Sequence, residues 1–233
     1  LDAKPIAPYL AEIRKLKTKD EYTTLMGKSS TTPFTSLLGL GIATDAKNPK
    51  AYAVYAGAGG LSLPDRDYYL DAKFADKKAA YLAYVEKMLT MAGWDKPAEH
   101  AKAVVDFETK LAEVTWTRAE RRNRDKTYNP ATLAELQAMS PGYDWNRYIA
   151  ASGLPKVDRF VVTTNTTFPK YAKIYGETPL DTLKAWQAFK VTDSAAPLLS
   201  KRFVDAQFEF RSKTLAGQPE QRPRCAAAGI FSA

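Results

Sequence analysis

Histidine and cysteine are nearly missing from this sequence, which has one of each, His100 and Cys225, in 233 residues. A single cysteine excludes any disulfide within the chain. The single histidine is the stronger restriction. Zinc hydrolysis needs several imidazole, thiolate or carboxylate ligands around a metal with one open position. His100, in "AEHAKAVV", has Val104 at its i+4 position, which cannot ligate, so it reads as a solvent-facing residue in the first turns of a helix. Serine chemistry usually takes histidine as its base, and no Gly-x-Ser-x-Gly elbow is present. Phosphate cradles are lacking too, since "GLGIATDAKNPK" has no Gly-Lys-Ser/Thr ending. The longest apolar runs, such as "AAYLAYV", are far too short to span a bilayer.

A formal net charge of +8 raises the question of a nucleic-acid partner. The cations are mostly spread. Their one dense cluster, "RAERRNRDK" (Arg118 to Lys126), carries Glu120 and Asp125 among its five cations and follows a helical stretch. Cations there complement the negative end of a helix dipole. The reading is a solvated helix end, with no nucleic-acid partner.

What the sequence does have is helical period. "APYLAEIRKLKT" sets Tyr9, Leu10, Ile13 and Leu16 on one face. "FADKKAAYLAYVEKMLTMAGW" stripes Tyr81, Leu82, Val85, Met88 and Leu89 and stops at Gly93. "DKPAEHAKAVVDFETKLAEVTW" restarts with Asp95 as the expected N-cap and aligns Val104, Val105, Phe107, Glu108 and Leu111. Thr132 and Glu135 form a capping-box pattern, Asp144 and Gly153 bracket another helix, and Thr178 with Pro179 opens one carrying Leu183, Trp186, Phe189 and Lys190. A last helical stretch holds Phe203, Gln207, Phe208 and Phe210. Against this texture, "SLLGLGIATD" and "KAYAVYAGAGG" flank an Asn-Pro turn signal and predict a hairpin whose glycines imply close packing against another backbone. The expectation is a mainly α, multi-helical lobe with a small β-hairpin near the N-terminus.

The remaining chemistry is carboxylate. "LPDRDYYL" places Asp65 and Asp67 around Arg66. Two carboxylates could serve as acid and base. The favoured reading is a helix entry, with Asp67 capping and Arg66 neutralising its neighbours.

Four stretches, "NPKAYAVYAGAGGLSLPDRDYYL", "NRDKTYNPATLAEL", "ETPLDTLKAWQAF" and "FVDAQFEFRSKTLAGQPEQRPR", taken in order, resemble the N-terminal, non-catalytic part of neprilysin-like zinc metallopeptidases, especially their bacterial oligopeptidase members. The chain departs from that pattern in carrying Ser62 where the family often has glycine in Leu-Gly-Leu-Pro, in lacking a methionine near Ala131, and in having Cys225 where the family tends to place tryptophan. The resemblance implies a two-lobed enzyme. One lobe carries a His-Glu-x-x-His helix and a further glutamate for zinc; the other, mostly helical, closes over it to form a chamber that admits peptides. This chain looks like the second lobe over residues 1–224, with 225–233 an atypical tail from a shifted reading frame, an expression boundary or an early stop.

No zinc ligand or catalytic glutamate of the family carries over to any position here, so no catalytic, metal or cofactor residue is expected. The implied partners are the catalytic lobe of the same polypeptide and peptide substrates, and the implied location is extracytoplasmic. Asp65, Arg66, Asp67, Arg122, Arg124 and Tyr128 are the expected lobe-interface residues. A helix face left raw and apolar where that lobe would dock is a further expectation. The rival readings are a stand-alone peptide- or protein-binding module and a small enzyme built on Asp65 and Asp67.

Overall fold

The computed structural model describes residues 2–221. The expected tail and Cys225 therefore lie outside the described residues.

Helix α1 (Ala7–Lys15) buries Leu10 and Ile13 as its period predicts. It is followed by a helix that the apolar pattern does not announce, α2 (Lys19–Gly27), whose cap is legible: the Thr18 hydroxyl accepts the Glu21 N–H. Strands β1 (Leu38–Asp45) and β2 (Asn48–Ala58) then pair antiparallel. Their turn sits at Ala46 and Lys47, and Asn48-Pro49 already belongs to β2. Asp45 decides this, because its Oδ1 accepts the Lys47 N–H at 2.9 Å and closes the turn.

The short α3 (Asp67–Leu70) leads to the two long helices α4 (Ala75–Met91) and α5 (Pro97–Val114). Gly93 ends the first of these turns at φ +66°. The N-cap of α5 is Lys96, in the left-handed region, with no side-chain cap. Asp95 instead offers its carbonyl to Nδ1 of the half-buried His100 at 2.6 Å. Next come α6 (Arg118–Arg122), β3 (Asn129–Ala131), α7 (Leu133–Met139), α8 (Trp145–Ser152) and β4 (Phe160–Val162). Capping boxes at Thr117/Glu120 and Thr132/Glu135 start α6 and α7, and Asp144 caps α8. The chain closes with α9 (Phe168–Glu177), α10 (Leu180–Ala195), α11 (Lys201–Gln207) and a π-helical stretch, Phe208–Leu215. Thr178 does not cap α10: its hydroxyl turns back to the Ile174 carbonyl of α9 at 2.6 Å.

The fold is mainly α, and the expected hairpin is half of a four-stranded sheet ordered β1-β2-β4-β3. β4 runs parallel to β2, pairing Val54 with Phe160, and antiparallel to β3. All three residues of β4 are buried. This is why "FVV" shows no alternation: with both faces covered, a strand has no reason to carry one.

The core sits where α4, α5 and α10 meet. Val85, Met88 and Leu89 of α4, Val104 and Leu111 of α5, and Leu183, Trp186 and Phe189 of α10 have essentially no exposure. Gly27, the last residue of α2, makes a second contact possible, since a Cβ there would lie 2.8 Å from the Ala151 Cβ of α8. The hairpin glycines serve less than expected. Gly41 has open space around it, and Gly39 packs on Ser36 and the Tyr148 hydroxyl rather than on a backbone.

The raw apolar helix face does not appear among the described residues. The large exposed hydrophobic side chains are Ile42 and Tyr52 on the hairpin, Leu70 at the end of α3, and Leu198 after α10. Ile42 and Tyr52 are diagonal neighbours across the hairpin, and Leu70 and Leu198 lie on other elements; none of them makes up a helix face.

Candidate functional site

The segment that carries the family-like motif leaves β2 through two glycines. Gly59 donates its N–H to the Leu37 carbonyl at 2.8 Å, and Gly60 stands at φ +102°, a conformation that suits glycine alone. A Cβ at Gly60 would also press within 3.1 Å of Leu37 and Trp186. This turn aims Ser62 into the centre of the helices.

There it meets Glu108, which α5 holds with no exposure. The Ser62 hydroxyl donates to Oε1 of Glu108 at 2.7 Å. Tyr69 and Tyr81 donate to Oε2 at 2.6 and 2.8 Å, and the Trp186 indole N–H donates to Oε1 at 2.8 Å. The Lys190 ammonium lies 3.7 Å away. Burial pushes Lys190 below the usual lysine range, against the pull of Glu108 and Asp193.

A second pair adjoins the first. Nε of Arg211 donates to Asp193 at 2.9 Å, its NH1 reaches the Ser62 carbonyl at 3.1 Å, and the Tyr84 hydroxyl donates to Asp193 at 2.6 Å. Burial raises the Asp193 carboxyl, but Arg211 beside it, with Tyr84 and Gln207, holds it below the usual range. Two anions and two cations thus neutralise one another inside the protein, with hydrogen bonds to spare. This is an arrangement that fixes helices in place. It ties α3, α4, α5, α10 and the π-helical stretch to one crossover segment.

Glu108, Lys190 and Gln207 stand on the apolar stripes of their helices in the sequence. That is the signal by which the cluster could have been found: a charge on a buried stripe requires an opposite charge on a neighbouring one.

Asp65 faces a different set. Its Oδ2 accepts from Nε of Arg118 at 3.2 Å and NH2 of Arg121 at 3.0 Å, and only 6% of its side chain is exposed. Arg66 does not neutralise the aspartates as expected. It spends NH1 and NH2 on the carbonyls of Thr115 (2.9 Å) and Glu113 (3.4 Å). Nor does Asp67 cap: the N-cap of α3 is Arg66, with no side-chain cap bond, and Asp67 is exposed in the first turn. With Asp65 bound by two guanidiniums and Asp67 in solvent, the two do not form an acid and base working on one substrate.

Arg122 and Arg124 are exposed and make no ion pair among the described residues. Tyr128 belongs to a third cluster, donating to Oδ1 of Asp45 at 2.8 Å and accepting from Arg159 at 2.6 Å, while Arg159 also binds Oδ2 of Asp45 at 3.1 Å. The six expected interface residues therefore divide between the α3 entry, the α6 segment and the hairpin base.

Beside Asp65 opens a cavity of about 200 Å³, with Arg66, Arg121, Trp116, Thr164 and Tyr171 in its walls. Among the described residues no three histidine, cysteine, aspartate or glutamate side chains come together to hold a metal ion. The donor set present does not fit a zinc site.

The amino-acid sequence matches the N-terminal model of peptidase family M13 over residues 1–230. The chain belongs to peptidase family M13. This M13 chain is similar to endothelin-converting enzyme 1 of Bos taurus, with 26% identity over 188 residues that make up 77% of this chain and 24% of that protein. It is similar also to neprilysin-3 of Drosophila melanogaster, 29% identical over 204 residues, 79% of this chain and 25% of that one. Among solved structures, the zinc metalloprotease Zmp1 of Mycobacterium tuberculosis in its open state superposes with a TM-score of 0.91 at 28% identity, covering 97% of this chain and 36% of that one. The M13 chain thus spans about a quarter of the length of the curated relatives it matches. None of its helices is long and apolar enough to cross a membrane, among the described residues.

Proposed function

We propose that the chain is the helical, non-catalytic lobe of a neprilysin-like zinc metallopeptidase, closing over a chamber in which a catalytic lobe of the same polypeptide cleaves peptides. The observation that carries this reading is a fold that matches the family along nearly its whole length yet brings no metal-holding cluster together among the described residues. The zinc, the water it activates and the general base then belong to the other lobe. This lobe restricts the size of what enters and supplies polar surface to the peptide.

Asp67, Arg122 and Arg124, exposed at the α3 entry and along the α6 segment, are the residues best placed to meet a second lobe, with Arg66 bound to the carbonyls at the end of α5 and Tyr128 paired with Asp45 and Arg159 at the hairpin base. A lobe that opens and closes exposes its inner face to water in each cycle, so a polar contact surface suits it better than an apolar one. An extracytoplasmic location follows from the same reading.

The lack of a raw apolar helix face among the described residues favours one other reading, a free-standing module that binds peptides or a protein without chemistry. Equilibrium dialysis with zinc and a fluorogenic-peptide assay test the lobe reading. The pure chain should take up no stoichiometric zinc at micromolar metal and cleave no peptide. Chelator-sensitive hydrolysis by the pure chain would contradict it.

A further inference from the structure

The cavity beside Asp65 holds more positive charge than its own residues neutralise. Arg118 and Arg121 share a single carboxylate oxygen, and the partners of Arg66 are carbonyls, which bring no net charge. Nearby Glu120 is occupied by the Thr117 N–H and hydroxyl of its own capping box, which hold its carboxyl below the usual range, with Lys126 and Arg66 adding to the effect. Of the charged residues that line the cavity, two are guanidiniums, Arg66 and Arg121, and one is a carboxylate, Asp65. A guanidinium offers five N–H donors. Arg121 engages one of them and Arg66 two among the described residues.

Thr164 is 8% exposed, and its Oγ1 is the one buried side-chain polar atom without a hydrogen-bond partner among the described residues. Buried hydroxyls are ordinarily paired. This one belongs to a residue in the cavity wall, next to the aromatic surfaces of Trp116 and Tyr171. Both aromatics are held in position, Trp116 by its indole bond to Thr166 at 2.7 Å and Tyr171 by its contact with the Thr115 hydroxyl at 2.8 Å.

We infer that the cavity is a binding site for a carboxylate carried on an amino-acid-sized group, with the free N–H donors of Arg121 and Arg66 on the carboxylate and Trp116 and Tyr171 against the aliphatic part. The size fits: a cavity of about 200 Å³ has room for a group of side-chain size. Asp65 in the wall favours a monoanion over a phosphate dianion, and guanidinium matches carboxylate in planar, two-point geometry. The site is complete within this chain and does not depend on the peptidase reading. The carboxylate has two possible sources, a free acyl amino acid or the terminal residue of a peptide.

Isothermal titration of the full chain tests the assignment with N-acetyl-leucine, a tripeptide ending in leucine, the C-terminal amides of both, and inorganic phosphate. Both free acids should bind, and each amide should bind at least about tenfold more weakly. Equal affinity for N-acetyl-leucine and the tripeptide assigns a free small carboxylate, and tighter binding of the tripeptide assigns a peptide terminus. Arg121→Gln should weaken the acids about tenfold or more and leave the amides unmoved, and thermal unfolding of the variant checks that it is folded. Arg121→Lys, which keeps the charge and loses the planar fork, should fall between the two. Acid and amide binding alike, no binding of either acid at millimolar ligand, phosphate binding tighter than both acids, or wild-type affinity in a folded Arg121→Gln protein would each overturn the inference.

Discussion

The Ser62 hydroxyl donates to Glu108 at 2.7 Å, pinning the segment between β2 and α3 to the middle of α5. Around that bond, four further donors converge on the same fully buried carboxylate, from the Ser62 backbone, Tyr69, Tyr81 and Trp186. Breaking a buried charge network by removing one partner strands the others without solvent. Glu108→Ala should therefore lower the unfolding free energy by about 3–5 kcal/mol, measured by urea denaturation. Ser62→Gly leaves the tyrosines and Trp186 in place but takes away the hydroxyl that accepts from Lys190 at 2.5 Å, so it should cost less than the loss of Glu108, about 1.5–3 kcal/mol. Equal losses from the two would show that Glu108 is not the hub.

Alkaline titration reports on the same core. Burial raises Tyr22, Tyr69, Tyr81, Tyr84 and Tyr143 above the usual phenol range, and Tyr171 and Tyr175 to about 12. A raised folded-state value means that stability is fully present below the unfolded value of about 10 and is lost as pH rises through the folded ones. Absorbance at the phenolate band should show these seven ionising only with unfolding, near pH 12, in step with loss of helical circular dichroism. Smooth ionisation of all thirteen tyrosines around the ordinary phenol value, with helix retained, would contradict the packing described.

Acid acts through Asp45. The Lys47 N–H, the Tyr128 hydroxyl and Arg159 hold its carboxyl at about 2. A depressed folded-state value gives stability that is present above the unfolded value of about 3.9 and is lost as pH falls toward 2. Asp193, held down by Arg211, adds to the same slope. The urea midpoint should fall across that window, and Asp45→Asn should flatten the fall. A midpoint unchanged between pH 4 and pH 2 would rule out both ion pairs.

Thr164→Val removes, at constant shape, the one buried hydroxyl without a partner among the described residues. Burying a hydroxyl without a partner costs about 1–3 kcal/mol, so the variant should be more stable by about 1 kcal/mol in urea. A loss of the same size would mean that the hydroxyl is satisfied by ordered solvent in the cavity.

Most helices were legible because their stripes, glycine stops and capping boxes are local: Tyr81 to Leu89 before Gly93, Thr132 with Glu135, and Asp144 with Gly153 all stand as expected. Besides Asp67, which falls inside α3 after Arg66, two more caps failed for a local reason that periodicity does not contain. Lys96 took the left-handed conformation that freed Asp95, and Thr178 bonded backward to Ile174 instead of forward. The sheet was half legible. β4 is three residues long, and its pairing with β2 joins positions more than a hundred apart in sequence, which no window of residues reveals.

The site was the least legible part. Within "LPDRDYYL", the partners of Asp65 and Tyr69, which are Arg118, Arg121 and Glu108, come from distant helices. Arg66 was assigned to its neighbours in sequence and binds carbonyls at the end of α5 instead. Charge pairing inside a core is decided by which stripes face one another, and that is known only once the helices are packed.

Grafting gives the most direct test of the central claim that this chain is a lobe and not an enzyme. A chimera in which residues 1–221 replace the superposable part of Zmp1 should fold and hydrolyse short fluorogenic peptides in a chelator-sensitive way, while the isolated chain under the same conditions should not. A folded, zinc-loaded chimera without peptidase activity would contradict the account, as would undiminished activity from the isolated chain.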